Sequence, residues 1–98
     1  MSLKPVKIGI CGLGTVGAGT FNVLSRNAQS IAARTQAVLQ VVHVGARRDN
    51  PDCALGDTRV SRDIFDVARD PEVDILVELI GGTTVARELT EEAIRNGK

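Results

Sequence analysis

Gly12-Leu13-Gly14-Thr15-Val16-Gly17 has the residue types and spacing of a phosphate cradle. It follows the apolar run Val6-Lys7-Ile8-Gly9-Ile10-Cys11 and opens a helical pattern, the strand-to-helix setting that gives G-x-G-x-x-G a mechanical meaning. Gly12 permits the tight turn, Gly14 lets backbone approach a pyrophosphate, and Gly17 lets the helix pack close to the strand. The helix N-terminus adds unpaired N–H groups and a partial positive charge. A glycine-rich turn that binds nothing is the competing reading. The strand before and the helix after favour dinucleotide binding.

A second constellation stands at the end of the next apolar run. Sites that prefer NAD place Asp or Glu there to hold the ribose 2′-hydroxyl, whereas this chain has Ala46-Arg47-Arg48, with Asp49 just beyond. A guanidinium forks onto a 2′-phosphate, so Arg47, backed by Arg48, favours NADP(H). Solvated loop charges are the alternative, and Asp49 within reach of the ribose leaves NAD(H) open. Further along, Gly81-Gly82-Thr83-Thr84 links a strand to a helix at the carboxyl edge of the expected sheet. Thr83 or Thr84 caps that helix, and Gly81, Gly82 and Thr83 are candidate contacts to the nicotinamide ribose.

Other reactive residue types read as structural. Glu78 interrupts an apolar strand and needs backbone or threonine donors to offset its burial. His43, the only histidine, lies mid-strand and is expected as a packed or hydrogen-bonded core residue. Cys11 reads as a small buried apolar group, and Cys53 sits in a loop without an adjacent base. No catalytic residue and no metal ligand is assigned.

The elements that position these groups alternate between strand and helix. Gly17, Phe21, Leu24, Ala28 and Ile31 recur at steps of three and four, predicting a helix from about Val16 to Ala33 or Arg34. Val38 to Ala46 reads as a strand buried on both faces. Arg59-Val60-Ser61 predicts a short edge strand, and Asp63 to Arg69 a brief helix stopped before Pro71. Val73 to Ile80 predicts another strand, then a helix burying Ala86, Leu89 and Ala93 and stopping at Asn96-Gly97. Such alternation implies an α/β fold: a Rossmann-like, doubly wound parallel sheet of order 3-2-1-4. A full version needs two more strands, so 1–98 is expected to be a partial dinucleotide-binding domain with its later strands absent. The open edge of the Val73–Ile80 strand then invites pairing with another chain, and a homo-oligomer is expected.

Composition narrows the function classes. The 98 residues carry 12 basic and 12 acidic side chains, for a formal net charge of zero, which argues against nucleic acid as a partner. Aromatic residues are only 2%, so the core must be aliphatic and close-packed. Two distant cysteines suggest neither a disulfide framework nor zinc, and fit a reducing cytoplasm. Apolar runs are too short to span a bilayer, so no membrane partner is expected. The polar start shows no signal peptide.

Taken together, Ile8 to Gly17, Val44-Gly45-Ala46-Arg47-Arg48, Val73 to Gly82 and the closing Ala93-Ile94-Arg95-Asn96-Gly97-Lys98 resemble homoserine dehydrogenase. The similarity covers essentially the whole chain, and Glu78-Leu79-Ile80-Gly81-Gly82 is its most specific part. The resemblance implies an NAD(P)-dependent oxidoreductase interconverting L-homoserine and L-aspartate 4-semialdehyde, on the route to threonine and methionine. It also implies that Leu13, Gly14, Thr15 and Val16 line the pyrophosphate and that Arg47 and Arg48 lie near the adenosine ribose. The family's catalytic lysine and aspartate belong to a later substrate domain, so the 98 residues alone are expected to be inactive. Two other readings compete: a dinucleotide-binding regulatory module without chemistry, and another reductase of similar layout, of the semialdehyde or dihydrodipicolinate type.

Overall fold

The computed structural model describes residues 4–27, 33, 37–48, 50, 55–56, 58–80 and 84–98. In chain order these form β1 (Lys4–Cys11), α1 (Thr15–Arg26), β2 (Ala37–Gly45), β3 (Arg59–Ser61), α2 (Ile64–Arg69), β4 (Ile75–Glu78) and α3 (Thr84–Arg95). The strands make one four-stranded sheet of order β3-β2-β1-β4, with every pairing parallel. The expected 3-2-1-4 order is the order found.

Alternation along β1 divides the core. Ile8 and Ile10 join Leu13, Ala18, Phe21, Val44 and Ala46 on the face covered by α1. Cys11 joins Val67, Ala68, Val73, Leu89 and Ala93 on the face covered by α2 and α3. Helices on both faces explain why the strands are nearly continuous runs of aliphatic residues. Leu89 and Ala93 bury the stripe of α3 as the spacing predicted, with Ala86 half-buried.

Polar groups mark two element boundaries. α1 closes at Asn27, whose backbone N–H and side-chain amide both donate to the Val23 carbonyl, at 3.0 and 2.9 Å. The expected continuation to Ala33 or Arg34 falls mostly outside the described residues, and Ala33 itself is helical. β4 is shorter than Val73–Ile80. Glu78 Oε1 accepts from the Ile80 N–H at 2.8 Å, which takes that donor out of the ladder. Regular pairing still extends one residue each way, through Asp74 N to Lys7 O at 2.7 Å and Leu79 N to Cys11 O at 2.9 Å.

β2 is buried only in its second half. β3 pairs with His43–Gly45 alone, so the earlier part of β2 is an edge on that side and Val38 is exposed. The register against β1 slips between Ile8 and Gly9, leaving Val42 as an extra residue in β2. α3 stops at Asn96-Gly97 as expected. Gly97 N donates to Ile94 O and Lys98 N to Ala93 O, both at 3.0 Å, the paired bonds of a Schellman ending. Among the described residues no helix is long and apolar enough to cross a membrane.

Candidate functional site

Parallel strands all end on one edge of the sheet, and there β1, β2 and β4 open into a cleft of about 1030 Å³. Gly12, Leu13 and Gly14 line it from the first turn, Gly45 to Arg48 and Asn50 from the loop after β2, and Leu79, Ile80, Thr84 and Val85 from the β4 side. That is the crevice at a topological switch point, where open α/β sheets take their ligands.

The turn requires its glycines. Gly12 has φ +103, a left-handed conformation, and a Cβ there would stand 2.8 Å from the Leu79 carbonyl oxygen. A Cβ on Gly17 would overlap the Gly12 carbonyl oxygen, so this residue lets the first turn of α1 sit directly on the glycine turn. Gly14 stands at the N-cap of α1, and a Cβ there would meet nothing within 4 Å. That open space beside backbone donors is what a bulky anionic group needs. Gly12 N also donates to Gly45 O at 2.7 Å, which ties the turn to the end of β2.

Arg47 and Arg48 are exposed and line the cleft beside the turn, so the two constellations read from the sequence meet in one cavity. Thr15 and Val16 begin α1, with Val16 exposed at 64%. Leu13 spends its side chain in the core at 7% exposure, which leaves its backbone for the cleft. Gly81, Gly82, Thr83, Asp49 and Cys53 lie outside the described residues.

Sequence reasoning missed the far wall of the cleft. Arg62, Asp63, Ile64 and Phe65 line it at the start of α2, and Asn50 lines it from the loop after β2. Asp63 caps α2, accepting from Phe65 N at 2.9 Å. Arg62 donates to the Ala46 carbonyl at 3.2 Å, and Ala46 N donates to Ser61 O at 3.0 Å. The place of residues 62–65 just after β3, on the carboxyl edge of the sheet, was the signal that could have found them.

Of the residues read as structural, Cys11, His43 and Glu78 can be placed, and each is enclosed or partnered. Cys11 is fully buried, and burial, with the Glu78 carboxylate nearby, pushes its thiol up to about 12, which makes it inert. His43 is 2% exposed; its Nδ1 lies 2.7 Å from Asp70 Oδ2 and its Nε2 2.7 Å from Ser61 Oγ. A carboxylate only accepts, so Nδ1 carries the proton toward Asp70. Burial alone would raise the Asp70 carboxyl. The Glu72 N–H, His43 and Arg59 outweigh burial and hold it below its ordinary value.

Comparison with known proteins agrees with this geometry. Residues 12–98 match the family model described as homoserine dehydrogenase, NAD binding domain. The chain belongs to that family. It is 60% identical over 96 residues to the homoserine dehydrogenase of Pseudomonas aeruginosa, covering 98% of this chain and 22% of that protein. It is 46% identical to that of Methylobacillus glycogenes over 98% of this chain and 24% of the relative. The crystal structure of the Thiobacillus denitrificans homoserine dehydrogenase superposes with a TM-score of 0.83 at 49% identity, over 97% of this chain and 22% of that one. That of Staphylococcus aureus gives 0.87 at 26% identity, over 98% and 25%. The chain thus spans about a quarter of the length of the relatives it matches.

Proposed function

We propose that this chain binds a nicotinamide dinucleotide, NADP(H) in preference to NAD(H), as the cofactor-holding part of an enzyme that interconverts L-homoserine and L-aspartate 4-semialdehyde. The observation that carries the reading is the single cleft in which the glycine turn and the arginine pair face one another. Membership of the family supplies the reaction.

The residues present fit such a group. Backbone N–H groups from Leu13 to Gly17, at the start of α1, hold the pyrophosphate, with room above Gly14 and a favourable helix dipole. Arg47, backed by Arg48, takes the 2′-phosphate, and each charge-assisted bond contributes about 1.5–3 kcal/mol. Gly81, Gly82 and Thr83 contact the nicotinamide ribose from the end of β4. When bound, the nicotinamide supplies or accepts a hydride. The chain's own residues bind and orient. Proton transfer and substrate binding are assigned to the part of the enzyme outside the matched quarter. Among the described residues β4 has a neighbouring strand on one side only, which supports pairing in a homo-oligomer. The buried thiol of Cys11 is compatible with a cytoplasmic setting.

The test is titration of the purified chain with NADPH and with NADH, followed by cofactor fluorescence, and then an assay for homoserine-dependent reduction of NADP⁺. Saturable binding that is tighter for NADPH, without turnover, is expected. Failure to bind either dinucleotide would overturn the reading, and turnover would place the catalytic groups inside these 98 residues.

A further inference from the structure

The glycine turn and the arginine loop are joined by a side chain that neither motif includes. Asn50 Nδ2 donates to the Leu13 carbonyl oxygen at 2.9 Å, across 37 residues of sequence. The amide orientation is fixed by its partner, because a carbonyl oxygen only accepts. Both residues line the cleft.

Peptide geometry gives this bond a consequence at the ligand side. The Leu13 carbonyl and the Gly14 N–H belong to one planar trans unit and point in opposite directions. Holding the carbonyl therefore sets the direction of the Gly14 N–H, at the N-cap of α1. Gly14 has no Cβ, and a Cβ there would meet no neighbour within 4 Å, so both the torsion and the surrounding space allow the plane to turn over. Asn50 also fixes one end of the segment that presents Arg47 and Arg48. The other end is fixed at Ala46 by Ser61 O and the Arg62 guanidinium.

We propose that Asn50 is a positioning residue of the dinucleotide site. It locks the Leu13–Gly14 peptide plane in the anion-binding orientation and couples the pyrophosphate turn to the arginine loop. This rests on the proposed dinucleotide binding and adds to it a device that pre-organises the turn before ligand arrives.

Two variants of the full 98-residue chain test it. Asn50→Ala removes the side chain, and Asn50→Asp keeps its shape but replaces the donor with an acceptor facing a carbonyl. Titration with NADH reads the turn, the NADH-to-NADPH affinity ratio reads the arginine loop, and the ¹⁵N–¹H resonance of Gly14 in ligand-free protein reads the peptide plane. Both variants should bind NADH about tenfold more weakly, the order of one lost polar interaction. They should narrow the preference for NADPH, and they should shift or broaden the Gly14 amide while melting as cooperatively as the wild type. A merely structural role would lower the melting temperature and leave the affinity ratio unchanged. Wild-type affinity in both variants, with the Gly14 resonance unmoved, would overturn the inference and leave the proposed function standing. A wild-type chain that binds no dinucleotide would overturn both.

Discussion

His43 lies inside β2 and Arg47 on the loop just past its end, and they have opposite fates. His43 is enclosed between Asp70 and Ser61, each 2.7 Å from a ring nitrogen, in the order of groups associated with nucleophilic catalysis. Arg47 is exposed on a loop and lines an open cleft. Residue type alone would choose the histidine as the functional group. The structure argues for the arginine. No described residue of the His43 cluster lines the cleft, and among the described residues no buried side-chain nitrogen or oxygen lacks a partner. Asp70 is further engaged by Arg59 at 3.2 Å and by the Glu72 N–H at 2.9 Å, and its backbone oxygen accepts from Lys98 Nζ at 2.8 Å. A polar network so fully satisfied fixes β2, β3 and the end of α2 in place. On the proposed reading, function at this sheet edge belongs to the exposed groups that line the cleft.

The largest expected effect lies in the network. His43→Ala leaves a void and strips a partner from a buried carboxylate, and it should cost about 3 kcal/mol of stability in urea unfolding. Affinity for NADPH per folded molecule should stay within twofold of wild type. A selective loss of affinity without loss of stability would reverse the comparison. Next comes Gly17→Ala, whose Cβ would overlap the Gly12 carbonyl oxygen. It should cost about 2 kcal/mol by the same measurement and, unlike the histidine change, weaken both dinucleotides together, because the turn itself is displaced.

A smaller effect appears on acidification. The folded-state value of Asp70 lies below its ordinary 3.8, so its contribution to stability is complete above that value and is lost as the pH falls through the folded one. Melting temperature should therefore fall more steeply below pH 4 in the wild type than in Asp70→Asn. Equal slopes would mean that the network does not depend on that charge.

The contrast also shows what a sequence makes legible. The glycine turn and the strand order were readable before any fold was known, as was the need of Glu78 for a nearby donor, though not that Ile80 N–H supplies it. His43 was readable as a satisfied core residue but its partners were not, since Ser61 and Asp70 lie 18 and 27 positions away and only the sheet brings them together. Asn50 was hidden for the same reason, in a turn cluster whose composition says only that the chain bends. Phe65 sat in a correctly placed short helix, with Arg62 just before it. Only their place after a short edge strand, at the carboxyl edge of the sheet, hinted that these residues line the cleft. The Asn27 amide that caps α1 was likewise not legible, because the apolar period runs through that residue without marking it.

The most direct test of the account compares NADPH and NADH affinities for the wild type, Arg47→Ala and His43→Ala under one set of conditions, each corrected for the fraction folded. Arg47→Ala should weaken NADPH about tenfold while leaving NADH and the melting temperature unchanged, and His43→Ala should leave the NADPH-to-NADH ratio where the wild type has it. A ratio that moves with His43 and not with Arg47 would contradict the account.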